Sequence, residues 1–115
     1  MDTEEYRKKI ELEILNIIEQ KLKDGQMNES RAKSIAQHIL STLLPHLDIN
    51  QIHTVVQKFD DYFTELVPVV SKVSYEYDEK IKKLVVQHVD LLISQNKFNE
   101  ATHLIKKAIN KELKL

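Results

Sequence analysis

Five histidines are the first residues of this chain whose side chains could hold a metal ion or move a proton. They are His38, His46, His53, His88 and His103. No pair has the four-residue spacing that puts two imidazoles on one helical turn, and the HExxH motif is absent. A metal site assembled from separate helices stays open as an alternative. We interpret His88, which falls in an apolar stripe, as a hydrogen-bonded core residue and the others as surface or boundary residues.

Two groups of carboxylates lie on either side of Val67-Pro68. They are Asp60, Asp61 and Glu65 before it and Glu76, Asp78 and Glu79 after it. Paired carboxylates serve general acid–base catalysis or bind divalent cations, so an enzyme or a metal-binding bundle is one alternative function. We favour a solvated acidic face, because nothing in the chain predicts a pocket with convergent polar groups. The sequence therefore predicts no catalytic residue, no metal site and no cofactor.

The rare residue types exclude several other kinds of site. The 115-residue chain has no Cys and a single Gly, which excludes a thiol nucleophile, a disulfide and a glycine-rich phosphate loop. Hydrophobic residues make up 42%, enough for a core, and the length predicts a single domain of residues 1–115. The acidic start and the lack of a long apolar run predict no secretory signal and no membrane span. We expect a cytoplasmic protein.

Apolar residues recur at three- and four-residue steps along most of the chain, a pattern typical of helices. We expect an all-α fold, a compact bundle of about five helices joined by short loops. Caps and breakers predict the helix boundaries, and these residues are Asp2 or Thr3, Gly25, Asn28, Pro45, Asp48, Pro68 and Asn99. The predicted helices cover approximately residues 3–24, 29–43, 49–66, 69–94 and 99–112.

The fourth predicted helix is long for a chain of this size. At 1.5 Å per residue it would extend for about 39 Å, more than the diameter of about 34 Å expected of a compact domain. We therefore expect it to bend, to break near Ser74 or to project from the body.

The last predicted hairpin resembles a known structural repeat. Residues 95–101, QNKFNEA, precede Ala108, and together they are similar to the turn and second helix of a tetratricopeptide repeat. Phe98, Ala101 and Ala108 match its packing positions. The resemblance, over about residues 84–109, implies a helical hairpin held together by small residues where the helices touch.

Charge is unevenly distributed along the chain. Residues 96–115 carry five lysines and two glutamates, a net charge of +3, whereas residues 48–66 carry a net charge of −3. A basic last helix could bind nucleic acid or an anionic surface, which is a second alternative function. Of the 17 basic residues, however, only Arg7 and Arg31 are arginines. Because arginine makes the bidentate phosphate and base contacts, we regard nucleic acid as an unlikely partner.

The function we expect is that of a small, non-catalytic interaction or adaptor domain. The first and fourth helices carry apolar residues offset from their main stripes, which gives them a wider apolar arc than one packing interface requires. We expect a protein partner or a second copy of the chain to bind Leu12, Leu15, Tyr75, Val86 and Leu91. The alternative is that a five-helix core uses both faces of these helices.

Overall fold

The computed structural model describes residues 2–115, and over this range every regular element is helical. The elements are α1 (Thr3–Lys23), α2 (Glu29–Thr42), α3 (Ile49–Val56), α4 (Phe59–Tyr62), a 3₁₀ turn (Thr64–Leu66), α5 (Val67–Ser94) and α6 (Phe98–Ile109). The predicted all-α fold is confirmed. Four of the five predicted helices correspond to the observed helices α1, α2, α5 and α6. The chain divides into two compact units, the first ending at Ser74 and the second covering Tyr75–Leu115.

Local hydrogen bonds begin three of the helices as the sequence predicts. The Asp2 carboxylate accepts the backbone N–H of Glu5, and the Asn28 amide oxygen accepts that of Arg31, each at 2.8 Å. Asp48 begins α3 with a complete capping box, in which its carboxylate accepts the Gln51 backbone N–H and the Gln51 side-chain oxygen accepts the Asp48 backbone N–H. These side chains satisfy N–H groups that have no acceptor inside the helix, so the helix starts are readable from the sequence.

Three helices end in the same kind of turn, although three different residue types occupy it. Gly25, Asn96 and Lys111 adopt left-handed conformations with φ values of 71°, 59° and 56° after α1, α5 and α6. In each turn, the residue after the left-handed one donates its backbone N–H to the carbonyl oxygen of the residue five positions earlier, at a distance of 2.8–3.0 Å. This is the Schellman motif, which satisfies carbonyls at the helix end. The prediction that Asn99 caps the last helix is wrong, because this turn lets the helix begin at Phe98, after Lys97.

The predicted helix over residues 49–66 is interrupted twice. It ends as α3 at Val56, resumes as the single turn α4, and passes through an extended Phe63 (φ −136°, ψ 102°) into the 3₁₀ turn. Phe59, Phe63 and Leu66 are nevertheless all buried. The interruptions bend the chain so that apolar residues before and after them meet the same core. Apolar periodicity does not reveal such a bend, because a straight helix would have the same spacing.

Pro68 begins a helix and does not end one. It is the second residue of α5, where a missing N–H costs nothing because first-turn N–H groups have no intrahelical acceptor. Helix α5 then runs through Ser74 without a break and contains 28 residues. At 1.5 Å per residue its length is about 42 Å.

The hydrophobic core lies entirely in the first unit. Helix α1 contributes the stripe of Tyr6, Ile10, Ile14 and Ile18, and the remaining buried residues are Met27, Ile35, Ile39, Leu43, Ile52, Val56, Phe59, Phe63, Leu66, Val69, Val70 and Val73. Helices α1 to α4, the 3₁₀ turn and the start of α5 therefore enclose one continuous apolar cluster. Burial of this cluster is the main stabilising term of the first unit.

We expect Phe59→Ala to be strongly destabilising. Phe59 is fully buried in the core, and removing its ring loses both the transfer free energy and the packing of the surrounding atoms. The free energy of unfolding, measured by urea denaturation with circular dichroism detection, should fall by about 3–5 kcal/mol. The control Leu40→Ala alters a side chain that is 73% exposed and should change stability by less than about 0.5 kcal/mol. Equal losses for the two variants would contradict this description of the core.

Candidate interaction site

Glu65, one of the carboxylates that suggested catalysis, is bound in a structural ion pair. Its two oxygens accept hydrogen bonds from Arg31 Nε and Nη2 at 2.7 and 2.8 Å, and the Arg31 guanidinium lies 4.8 Å from the centre of the Phe63 ring. Hydrogen bonds from Arg31 lower the pKa of Glu65 from 4.5 to about 2. A carboxyl that stays ionised and paired is not suited to donate a proton near neutral pH. Its role here is to hold the 3₁₀ turn against α2.

The histidines do not form a metal site in the part of the chain that is described. The His38 ring packs against the rings of Phe59, Tyr62 and Phe63 at centroid distances of 4.8–5.9 Å. The His46 backbone N–H donates to Glu4 at 3.2 Å. Residues 2–115 contain no group of three His, Asp or Glu side chains placed to hold a metal ion.

His88 lies on the surface, so the expectation of a core histidine is wrong. It is exposed on α5 and lines an open groove together with Glu100 and His103 of α6. The apolar stripe of α5 does pass through this position. The exposure of position 88 shows that the apolar stripe of α5 is not covered along its whole length in the second unit.

All five residues predicted to bind a partner are exposed. Leu12 and Leu15 lie on α1, and Tyr75, Val86 and Leu91 lie on α5, each with more than half of its surface accessible. At 100° per residue, Leu12 and Leu15 point away from the side of α1 that carries Ile10 and Ile14. On α5, Leu91 points to nearly the opposite side from Val86 by the same rule, so these two residues belong to separate faces.

The second unit exposes eight of its sixteen large apolar side chains. After Ser74, only Tyr77 and Ala101 are buried. The exposed large apolar residues of this unit are Tyr75, Leu84, Val86, Leu91, Ile93, Phe98, Ile105 and Ile109. Two helices in contact bury one stripe of each, and a wider apolar arc stays in water unless another element covers it. The second unit is therefore an apolar helical hairpin without a closed core.

Helix α6 carries an exposed apolar stripe that the sequence prediction missed. Phe98, Ile105 and Ile109 are spaced by seven and four residues, which places them on one face. All three are exposed, Ile109 to 73%. The small residue Ala101 is the missed signal, because it marks the packed side about 60° away from this stripe.

Comparison of the chain with family models, with curated proteins and with solved structures found no match. No helix within residues 2–115 is long and apolar enough to cross a membrane.

We expect the contribution of the Glu65–Arg31 ion pair to the free energy of unfolding to depend on pH. Because the pKa of Glu65 is lowered on folding, this contribution is fully present above about pH 4.5 and is lost as the pH falls towards 2. The variant Glu65→Gln should lose about 1–2 kcal/mol of unfolding free energy at pH 7, since Arg31 is partly exposed and solvent screens the pair. Urea denaturation at a series of pH values between 7 and 3 should show this difference shrinking.

The matched control is Glu19→Gln, which removes an exposed ion pair with Lys23 within α1. Its effect should be below about 0.5 kcal/mol at every pH. A Glu65→Gln loss no larger than that of the control, or one independent of pH, would contradict the structural role of the pair.

Proposed function

We propose that this protein is a non-catalytic helical interaction module whose second unit binds an amphipathic helix of another protein. The observation that carries the proposal is the apolar hairpin that the second unit forms from residues 75–94 of α5 and from α6. It has two buried residues, Tyr77 and Ala101, and many exposed large apolar side chains. A third helix laid along the hairpin would remove this surface from water and complete a three-helix core. Apolar burial of this kind is the main favourable contribution to most protein–protein association.

The exposed stripe of α6 supports a helix as the binding element. Phe98, Ile105 and Ile109 have the spacing by which one helix packs along another. Phe98 also provides a large aromatic side chain, a residue type enriched at the centre of protein interfaces. Exposure of such a stripe without a partner would favour aggregation, so a binding role accounts for it better than chance composition.

The charge of the same region supports an acidic partner. Residues 96–115 have a net charge of +3, and Lys106 and Lys107 are in the last turn of α6. A partner helix with acidic residues beside its apolar face would complement these lysines and bind faster at low salt. Nucleic acid fits this region less well, because residues 96–115 contain no arginine.

The predicted residues of α1 and α5 support a second possible contact. Leu12 and Leu15 form an exposed apolar pair on α1, and Val86 and Ile93 form another on α5 with seven-residue spacing. A second copy of the chain is the alternative occupant of these faces. It is distinguished from an external partner by the test below.

The proposal is tested by photocrosslinking from position 98. Phe98 is replaced by p-benzoylphenylalanine, an aromatic residue of similar shape that captures neighbouring chains when irradiated in cells that naturally contain the protein. We expect a crosslinked adduct with another protein at a segment that has helical apolar periodicity and acidic residues. The crosslink should decrease as salt is raised, because opposite charges contribute to association.

The matched control carries the same probe at Tyr62, an aromatic residue of the first unit that is 61% exposed against 57% for Phe98. Equal capture of the same proteins from both positions, or no adduct from position 98, would refute the proposal. An adduct formed only with a second copy of the chain would replace the external partner by self-association.

A further inference from the structure

A groove runs along the seam between α5 and α6, and we call it the hairpin groove. Its two parts share His88 and Leu104 as lining residues and are therefore adjacent. The open part has a volume of about 430 Å³ and is further lined by Leu92, Asn99, Glu100, His103 and Lys107. The other part is lined by Ile81, Leu84 and Val85 and is covered by Leu113, Lys114 and Leu115.

The residues that cover the groove are in the C-terminal segment, which we define as residues 112–115. This segment is not helical, and the left-handed turn at Lys111 leads into it. Leu113 and Leu115 are both half-buried, and the Leu115 backbone N–H donates to the Tyr77 hydroxyl at 3.2 Å. The groove thus accepts a non-helical peptide with two leucines spaced two positions apart.

Two features indicate that the C-terminal segment is bound weakly in the hairpin groove. A depression of about 200 Å³, lined by the segment and the helices together, stays open to solvent, so the leucines of the segment do not fill the groove. Lys111 adopts a left-handed conformation with φ 56°, which side chains other than glycine and asparagine rarely occupy. Another peptide could therefore take the place of the segment without breaking a well-packed interface.

We propose that the hairpin groove binds a non-helical peptide segment of another protein with two leucine-like side chains two positions apart, and that the C-terminal segment is its internal competitor. This inference rests on the proposed role of the second unit in protein binding and names a second kind of ligand for it. The site differs from the α6 stripe, because neither Phe98, Ile105 nor Ile109 lines the groove.

The open part of the groove offers hydrogen-bond donors to an acidic residue next to the leucines. These donors include the rings of His88 and His103 and the ammonium group of Lys107, and the lining has one carboxylate, Glu100. A peptide long enough to cover both parts would bury its leucines where Leu113 and Leu115 now lie, and would place an adjacent carboxylate near Lys107. A longer ligand of this kind gains contacts that the C-terminal segment does not make.

The test uses the full chain with the competitor weakened, Leu113→Ser/Leu115→Ser, and the six-residue peptide Asn-Lys-Glu-Leu-Lys-Leu, which is residues 110–115. Binding is followed by NMR of the ¹⁵N-labelled protein. We expect saturable shifts of the amides of Ile81, Val85, His88 and Leu104. The double variant should bind the peptide at least about tenfold more tightly than the unaltered chain, because a tethered competitor acts at an effective concentration of the order of mM.

The matched protein control is Leu40→Ser/Leu44→Ser, which alters two exposed leucines of the first unit and should bind the peptide no better than the unaltered chain. The peptide control, with serine at both leucine positions, should not bind. Equal affinity of the double variant and the unaltered chain, or shifts outside the groove residues, would overturn the proposal.

Two further measurements keep the outcome decisive. If the double variant loses helicity by circular dichroism, the single variant Leu115→Ser, which removes one leucine of the competitor and leaves the helices that line the groove unchanged, should still bind the peptide more tightly than the unaltered chain. A concentration-dependent dimer that sedimentation detects in the unaltered chain but not in the double variant would assign the groove to the C-terminal segment of a second copy. Capture from position 98 is independent of both results, so the proposed function and this inference can fail separately.

Discussion

The structure of this protein depends on one constraint, which is the amount of apolar surface that neighbouring helices can cover. In the first unit, four helices, a 3₁₀ turn and the start of α5 enclose one cluster, and Phe59, Ile52 and Val56 lose all contact with solvent. The second unit has the larger part of α5, helix α6 and nine non-helical residues for a comparable apolar composition. Its helices can bury one stripe each, so further stripes remain in water. The functional proposals follow from this difference between the units.

The left-handed turns at the helix ends determine the direction in which the chain continues after each helix. Gly25 adopts its conformation without steric cost, whereas Lys111 adopts the same region of φ with a full side chain. The turn at Lys111 leads the C-terminal segment over the hairpin groove, where Leu113 and Leu115 become half-buried. A turn motif that usually only ends a helix here also places a peptide in a groove.

A cluster of carboxylates, which is typical of catalytic sites, can contain a residue whose role is structural. Glu65 belongs to a carboxylate group that could have supported acid–base catalysis, but its oxygens bind Arg31, which lies 34 residues earlier. The guanidinium also packs over Phe63. This arrangement holds the 3₁₀ turn against α2 while the neighbouring Leu66 is buried. The pairing depends on a contact between distant segments, and no local spacing predicts it.

The sequence by itself determined the helical class, the caps at Asp2, Asn28 and Asp48, and the turn at Gly25. These features depend on hydrogen bonds and backbone conformations within a few residues, so local residue types are sufficient to specify them. Only the tertiary structure decided where the predicted helix of residues 49–66 is interrupted. It also decided that His88 and the apolar stripe of α6 are exposed, and that the C-terminal segment covers part of the hairpin groove. Each depends on which elements are close in space, and apolar spacing along one helix does not state how many neighbours that helix has.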